Sequence, residues 1–211
     1  MLVAPFLILY NPEFVPVPML LFGTFLPSFI VWRHRNHIDF TGIKLAIAGR
    51  IAGSILAVWL ITIISQISFM LIFGGLVIAT VILSTFAFNI RPTPTNVGIA
   101  GIFSGLMGTL AALGGPPIAI LYQNERGDVI RATLSGFFIL GSLLSLLFLS
   151  IAGKVTFTHF KLFLYLVPGV LIGFYLSKYA VDHVDRRYMR KAMLSVSFIA
   201  GLMVMIRAIT G

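Results

Sequence analysis

Residues 97–122 read VGIAGIFSGLMGTLAALGGPPIAILY. The stretch carries no charged side chain. It is longer than the roughly 20 helical residues that cross a hydrocarbon core about 30 Å thick. Gly98, Gly101, Gly105 and Gly108 recur at three- and four-residue spacing, which places them along one face of a helix. Gly114, Gly115, Pro116 and Pro117 then interrupt it. The pattern predicts a glycine-rich helix that breaks at membrane depth, either as a spanning segment or as a re-entrant hairpin.

Two readings of this stretch stand side by side. In one, the glycines only let helices approach closely. In the other they also open a substrate pathway. Pro116 and Pro117 lack amide protons and suit the first turn of a new helix. Gly114 and Gly115 tolerate backbone angles that other residues resist. Free N–H groups near Gly115, Ile118 and Ala119 would then attract an anion, and the hydroxyls of Ser104 and Thr109 would add donors. Irregular backbone inside a membrane is tolerated only where protein or water satisfies it.

The rest of the chain agrees with a membrane setting. Of 211 residues, 59% are hydrophobic and 10% charged, and the mean hydropathy is +1.05. A soluble domain needs a far more charged surface. Apolar runs at about 17–32, 42–63, 67–88, 133–152, 160–177 and 191–209 approach spanning length. The first contains Pro18 and Pro27 and is expected to bend. Residues 1–10 are apolar but too short to cross. They lack the basic start and the small-residue cleavage site of a signal peptide. The predicted fold class is an all-α polytopic membrane protein forming one membrane domain, residues 1–211.

Absences narrow the chemistry. No cysteine occurs, so thiolate metal sites and thiol nucleophiles are excluded. No His-x-x-x-His motif or carboxylate pair lies within a span, which argues against a membrane enzyme. No cofactor and no metal are expected. The balance of 15 Lys+Arg against 6 Asp+Glu fits basic cytoplasmic loops better than nucleic-acid binding. No nucleotide-binding motif occurs, so transport by this chain alone would be secondary or channel-like.

The chain also repeats itself. DFTGIKL at 39–45 parallels TFTHFKL at 156–162, and PFLILY at 5–10 parallels PIAILY at 117–122, in the same order. This predicts a duplication, with 1–90 as the first repeat and 97–211 as the second. Charge sets the orientation. If 97–122 crosses the membrane, the loop and span-end cations divide seven against seven. If it enters and leaves on one side, eleven fall together and only Lys154, Lys161 and Arg207 oppose them. The second count obeys the positive-inside rule and makes the two halves inverted. It places loops 33–39, 89–96, 123–131 and 178–190 in the cytoplasm and the C-terminus outside.

Arg50 stands apart from the other cations. It lies eight residues into the 42–63 run, between Gly49 and Gly53. An arginine at that depth faces protein or water. It either pairs with an anionic substrate or snorkels to the nearer interface. The candidate pathway residues are Arg50, Ser104, Thr109, Gly114, Gly115, Pro116 and Pro117.

Three stretches carry a family resemblance. They are GIFSGLMGTLAALGGPPIAILY (101–122), RATLSGFFILGSLLSL (131–146) and LVPGVLIGFYLSKYAVDHVDRRYMRKAML (166–194). With WRHRNHIDF (32–40), they resemble the sulfite exporter TauE/SafE family of bacterial and archaeal permeases. The resemblance implies a multi-pass permease of the plasma membrane, embedded in lipid, for a small anion such as sulfite or an organosulfonate. It also implies a glycine-rich arm before Pro5, in the first half, which this sequence does not include. The alternative expectation is a non-transporting membrane subunit or a truncated remnant of such a permease.

Overall fold

The computed structural model of the chain describes residues 3–34, 40–85, 90–123, 125, 127–180 and 186–210. The regular elements among them are helices: α1 (Val3–Tyr10), a short 3-10 turn (Pro12–Phe14), α2 (Val17–His34), α3 (Phe40–Ile63), α4 (Gln66–Thr85), α5 (Pro94–Ala111), α6 (Gly115–Tyr122), α7 (Gly127–Ile151), α8 (Phe157–Ala180) and α9 (Arg186–Thr210). The expected all-α membrane architecture is therefore the one observed. Among the described residues, five helical segments are long and apolar enough to cross a bilayer: Pro12–Trp32, Lys44–Ile63, Gln66–Thr85, Val129–Ile151 and Tyr188–Thr210. The predicted 160–177 run is helical, but its apolar part, Phe157–Gly173, is shorter. Pro18 falls in the first turn of α2, where a missing N–H costs nothing, while Pro27 lies inside that helix.

Burial follows the logic of a lipid solvent. Large apolar side chains such as Ile55, Trp59, Leu143, Leu147 and Ile206 are exposed, as lipid-facing positions are. Small hydroxyl side chains go inside instead: Ser54, Ser104, Thr109, Ser145 and Ser197 are all buried. Between helices in a membrane the hydrophobic effect vanishes, so close packing and buried hydrogen bonds decide association.

Glycines make that packing close. A Cβ on Gly49 or Gly53 of α3 would collide with the backbone of Gly98 or Ile102 on α5. A Cβ on Gly101 or Gly105 of α5 would collide with the carbonyls of Ala46 and Arg50 on α3. The two helices thus interlock backbone to backbone. Gly98 behaves differently, since its own Cβ position is open. Elsewhere Gly74 on α4 lies against Gly201 and Met205 of α9, and Gly23 on α2 lies against Ser142 of α7. α1, α4 and α9 bury a cluster that includes Ile8, Phe73, Val77 and Val204, and this cluster reaches Ala111 and Leu113 at the end of α5.

The glycine-rich stretch breaks, but not as its glycines suggest. α5 runs as a helix past Gly98, Gly101, Gly105 and Gly108 to Ala111, so the shortened or unwound arm that the re-entrant reading of 97–122 requires is not found. Its 18 residues measure about 27 Å at 1.5 Å per residue. The left-handed residue that ends it is Ala112, with φ 55° and ψ 27°, whose N–H bonds back to Gly108. Gly114 has φ −71°, which any residue accepts. α6 then starts at Gly115 with both prolines in its first turn. The second helix packs against the first.

Candidate functional site

Arg50 is the largest fully buried side chain among the described residues, with 2% of its surface exposed. Its position follows from the α3–α5 interlock. Gly105 lets the backbone of α5 sit against the carbonyl of Arg50, and the side chain then reaches the turn that joins α5 to α6. Arg50 Nη1 donates to Ser104 Oγ at 2.9 Å. Ser104 Oγ in turn donates to the carbonyl of Gly114. One hydroxyl thus ties the guanidinium to the broken turn.

α7 supplies the other side of the seat. The guanidinium carbon lies 4.9 Å from the centre of the Phe137 ring, over its face. One helical turn later, Gly141 leaves space for the guanidinium: a Cβ there would collide with Nε and Cζ of Arg50. Phe137 is fully buried. The electron-rich face of a ring attracts a cation without neutralising it. Among the described residues no carboxylate pairs with Arg50. Its Nε is buried and makes no hydrogen bond. A buried charge held only by a hydroxyl and a ring face keeps its capacity to bind an anion.

A cavity of about 450 Å³ opens beside it. α2 contributes Met19, Leu20, Gly23 and Pro27, and α7 contributes Phe138 and Ser142. α5, α6 and the turn between them contribute Gly108, Ala112, Leu113, Gly114, Gly115, Pro116 and Ala119, and α4 contributes Ser84. Arg50 is the only charged side chain among the described residues of this lining. The N-cap of α6, Gly114, provides no side-chain hydrogen bond to the start of that helix.

Four of the seven expected pathway residues line this cavity: Arg50, Gly114, Gly115 and Pro116. Ser104 stands one step behind, between Arg50 and Gly114. Pro117 is buried and does not line it. Thr109 lies in a separate hydroxyl cluster. Its Oγ1 donates to Ser54 Oγ at 3.0 Å and sits 2.7 Å from Ser145 Oγ, which donates to the Gly141 carbonyl at 2.9 Å. Thr109 therefore braces α3, α5 and α7 around the seat of Arg50.

The role of the glycines also changes in kind. At Gly114 a Cβ would lie 2.6 Å from the Ser104 carbonyl and 2.8 Å from Arg50 Nη1. At Gly108 it would lie 2.7 Å from Arg50 Nη2. These are demands for space, not for a left-handed angle. Sequence reasoning missed Phe137, Phe138, Gly141 and Ser142. The only local signal is the run GFFILGS at 136–142, an aromatic pair followed at helical spacing by small residues.

Comparison with family models finds sulfite exporter TauE/SafE, matched over residues 1–204. Comparison with curated proteins and with solved structures finds no match. The chain therefore belongs to the sulfite exporter TauE/SafE family of membrane transporters.

Proposed function

We propose that this TauE/SafE family member is a secondary permease of the plasma membrane whose substrate is a small anion such as sulfite or an organosulfonate. The observation that carries the reading is the buried Arg50, which has no acidic partner among the described residues and lies beside the broken α5–α6 turn and an adjoining cavity. An anion there gains the guanidinium charge and the partial positive charge at the start of α6. Among the described residues of the lining it meets no competing carboxylate. Snorkelling is the less favoured reading of Arg50, because its head is buried and bonded inward to Ser104.

The inverted duplication remains part of this proposal. α1 and α6 are both eight residues long, and α3 and α8 are both 24. α2 packs on α7 and α4 on α9, so elements in corresponding places meet. A two-fold related pair of repeats, with the site on an interrupted helix between them, is a recurrent transporter plan.

The test is flux of ³⁵S-labelled sulfite into proteoliposomes of purified protein, compared with Arg50→Gln at equal folded protein. Saturable flux that falls sharply in the variant supports the reading. Saturable flux that is unchanged in the variant removes Arg50 from the pathway.

A further inference from the structure

The Arg50 cavity ends at a layer of apolar side chains, and a second cavity begins on the far side of that layer. We infer that the two cavities are halves of one substrate route, and that Val17, Leu20, Val58 and Leu149 form the gate that closes it. The inference rests on the permease reading and adds a path and a barrier to it.

The order of residues along three helices carries the argument. On α2, Leu20, Gly23 and Pro27 line the Arg50 cavity, while Val17, about a turn before Leu20, lines the second. On α3, Arg50 lines the first and Ile61 the second. On α7, Ser142 lines the first and Leu149 the second. The cavities share these helices and lie end to end along them. α4 agrees, since Ser84 in its last turn lines the first cavity and its first residue, Gln66, lines the second.

One buried cluster separates them: Val17, Leu20, Val58 and Leu149, with Ile61 and Ala112 packed against it. Leu20 and Ala112 line the Arg50 cavity, Val17, Ile61 and Leu149 line the second, and Val58 lines neither. Val58 lies eight residues beyond Arg50 on α3, and Leu149 eight beyond Gly141 on α7. Gly141 sits against Arg50, and eight helical residues rise about 12 Å. The same two helices therefore meet again one level further on, this time through carbon. An anion gains no hydrogen bond from such side chains in place of its water, and an apolar constriction bars ions until it widens.

The second cavity, of about 300 Å³, is a mouth rather than another anion seat. Among the described residues its ionisable side chains are Glu13, Lys154 and His159. These are of both signs, so no positive charge stands unbalanced there as Arg50 does.

The experiment reads accessibility and needs no transported substrate. Single cysteines replace Ser142 in the Arg50 cavity and Ser65 in the second cavity, in a chain that has no other cysteine. The impermeant reagent 2-sulfonatoethyl methanethiosulfonate is applied to each membrane face, in right-side-out and inside-out vesicles. The face that labels Ser65→Cys marks the second cavity. Ser142→Cys should react about tenfold or more slowly from that face than from the other, because the apolar layer stands between. Adding Leu149→Ala should raise that slow rate about tenfold by widening the layer. Val204→Ala, a truncation in the separate α1–α4–α9 cluster, should leave it unchanged. Equal rates from both faces with the gate intact overturn the inference. So does a slow rate unmoved in folded Leu149→Ala, or one raised equally by Val204→Ala, which marks general loosening. If Leu149→Ala does not fold, Val58→Ala takes its place, and the two-face comparison in Ser142→Cys still decides the closed layer. Sulfite flux in Arg50→Gln separates the levels: unchanged flux with gated labelling refutes the anion site and keeps the gate, and lost flux with ungated labelling refutes the gate alone.

Discussion

Arg50 on α3 and Ser104 on α5 are 54 positions apart, and their side chains meet at 2.9 Å in the interior. The bond exists because Gly105, next to Ser104, lets the α5 backbone rest on the Arg50 carbonyl. Ser104 then passes its own hydrogen to Gly114. Position of the cation and position of the turn are therefore one property of this fold.

Replacing the cation tests the centre of that arrangement. Arg50→Gln should lower the kcat/KM of anion flux about 10- to 100-fold, the range of a lost hydrogen bond to a charged group. Arg50→Lys should retain part of the flux, because the charge stays while the planar contact with Phe137 is lost. Initial rates in proteoliposomes, normalised to folded protein, check both. Equal rates for Arg50→Gln and wild type would contradict the role.

Gly141 offers a test from the opposite helix. A methyl at this position collides with Nε and Cζ of Arg50, so Gly141→Ala should displace the guanidinium rather than merely loosen packing. Anion KM is expected to rise at least tenfold, with membrane levels of the protein largely kept. A Gly141→Ala protein with wild-type KM would show that the seat on α7 is dispensable.

The turn should rank its substitutions by what each new atom meets. Gly114→Ala brings carbon to within 2.6 Å of a backbone carbonyl, and Gly115→Ala to within 3.0 Å of the end of a ring. A ring end gives way more easily than a backbone. Transport loss should therefore run Gly114→Ala > Gly115→Ala > Pro116→Ala, the last restoring an N–H at a helix start that tolerates one. Flux at matched protein levels measures the order, and Gly115→Ala worse than Gly114→Ala would reverse the steric account.

Glycines that look alike in sequence should separate in stability. Gly98→Ala meets open space and should be neutral or stabilising by up to about 1 kcal/mol, since glycine is costly inside a helix. Gly53→Ala and Gly101→Ala collide with backbone and should destabilise by about 1–3 kcal/mol. Thermal unfolding in one detergent resolves the difference, and equal effects at Gly98 and Gly101 would refute the interlock.

Topology has its own test. An impermeant thiol reagent applied outside intact cells should label Thr158→Cys and spare Glu125→Cys, since the eleven-to-three division puts the second on the cytoplasmic side. The parent chain has no cysteine to interfere. External labelling of both positions would reject the re-entrant arrangement of 97–122.

What the sequence by itself determined were properties that depend on one segment and its solvent. Run length against bilayer thickness sets which stretches are helical and apolar, because a backbone in lipid must satisfy its own hydrogen bonds. Depth within such a run singled out Arg50, and Gly-Gly-Pro-Pro marked a break. Only the tertiary structure decided which helix each face meets. It put the left-handed turn at Ala112 rather than at a glycine, kept α5 helical past four glycines, and turned Thr109 away from the cavity to brace Ser54 and Ser145. It also brought Phe137 and Gly141 under Arg50. Helix–helix registry in a membrane is settled by close contact and a few hydrogen bonds between distant residues, and those pairings have no local pattern from which to read them.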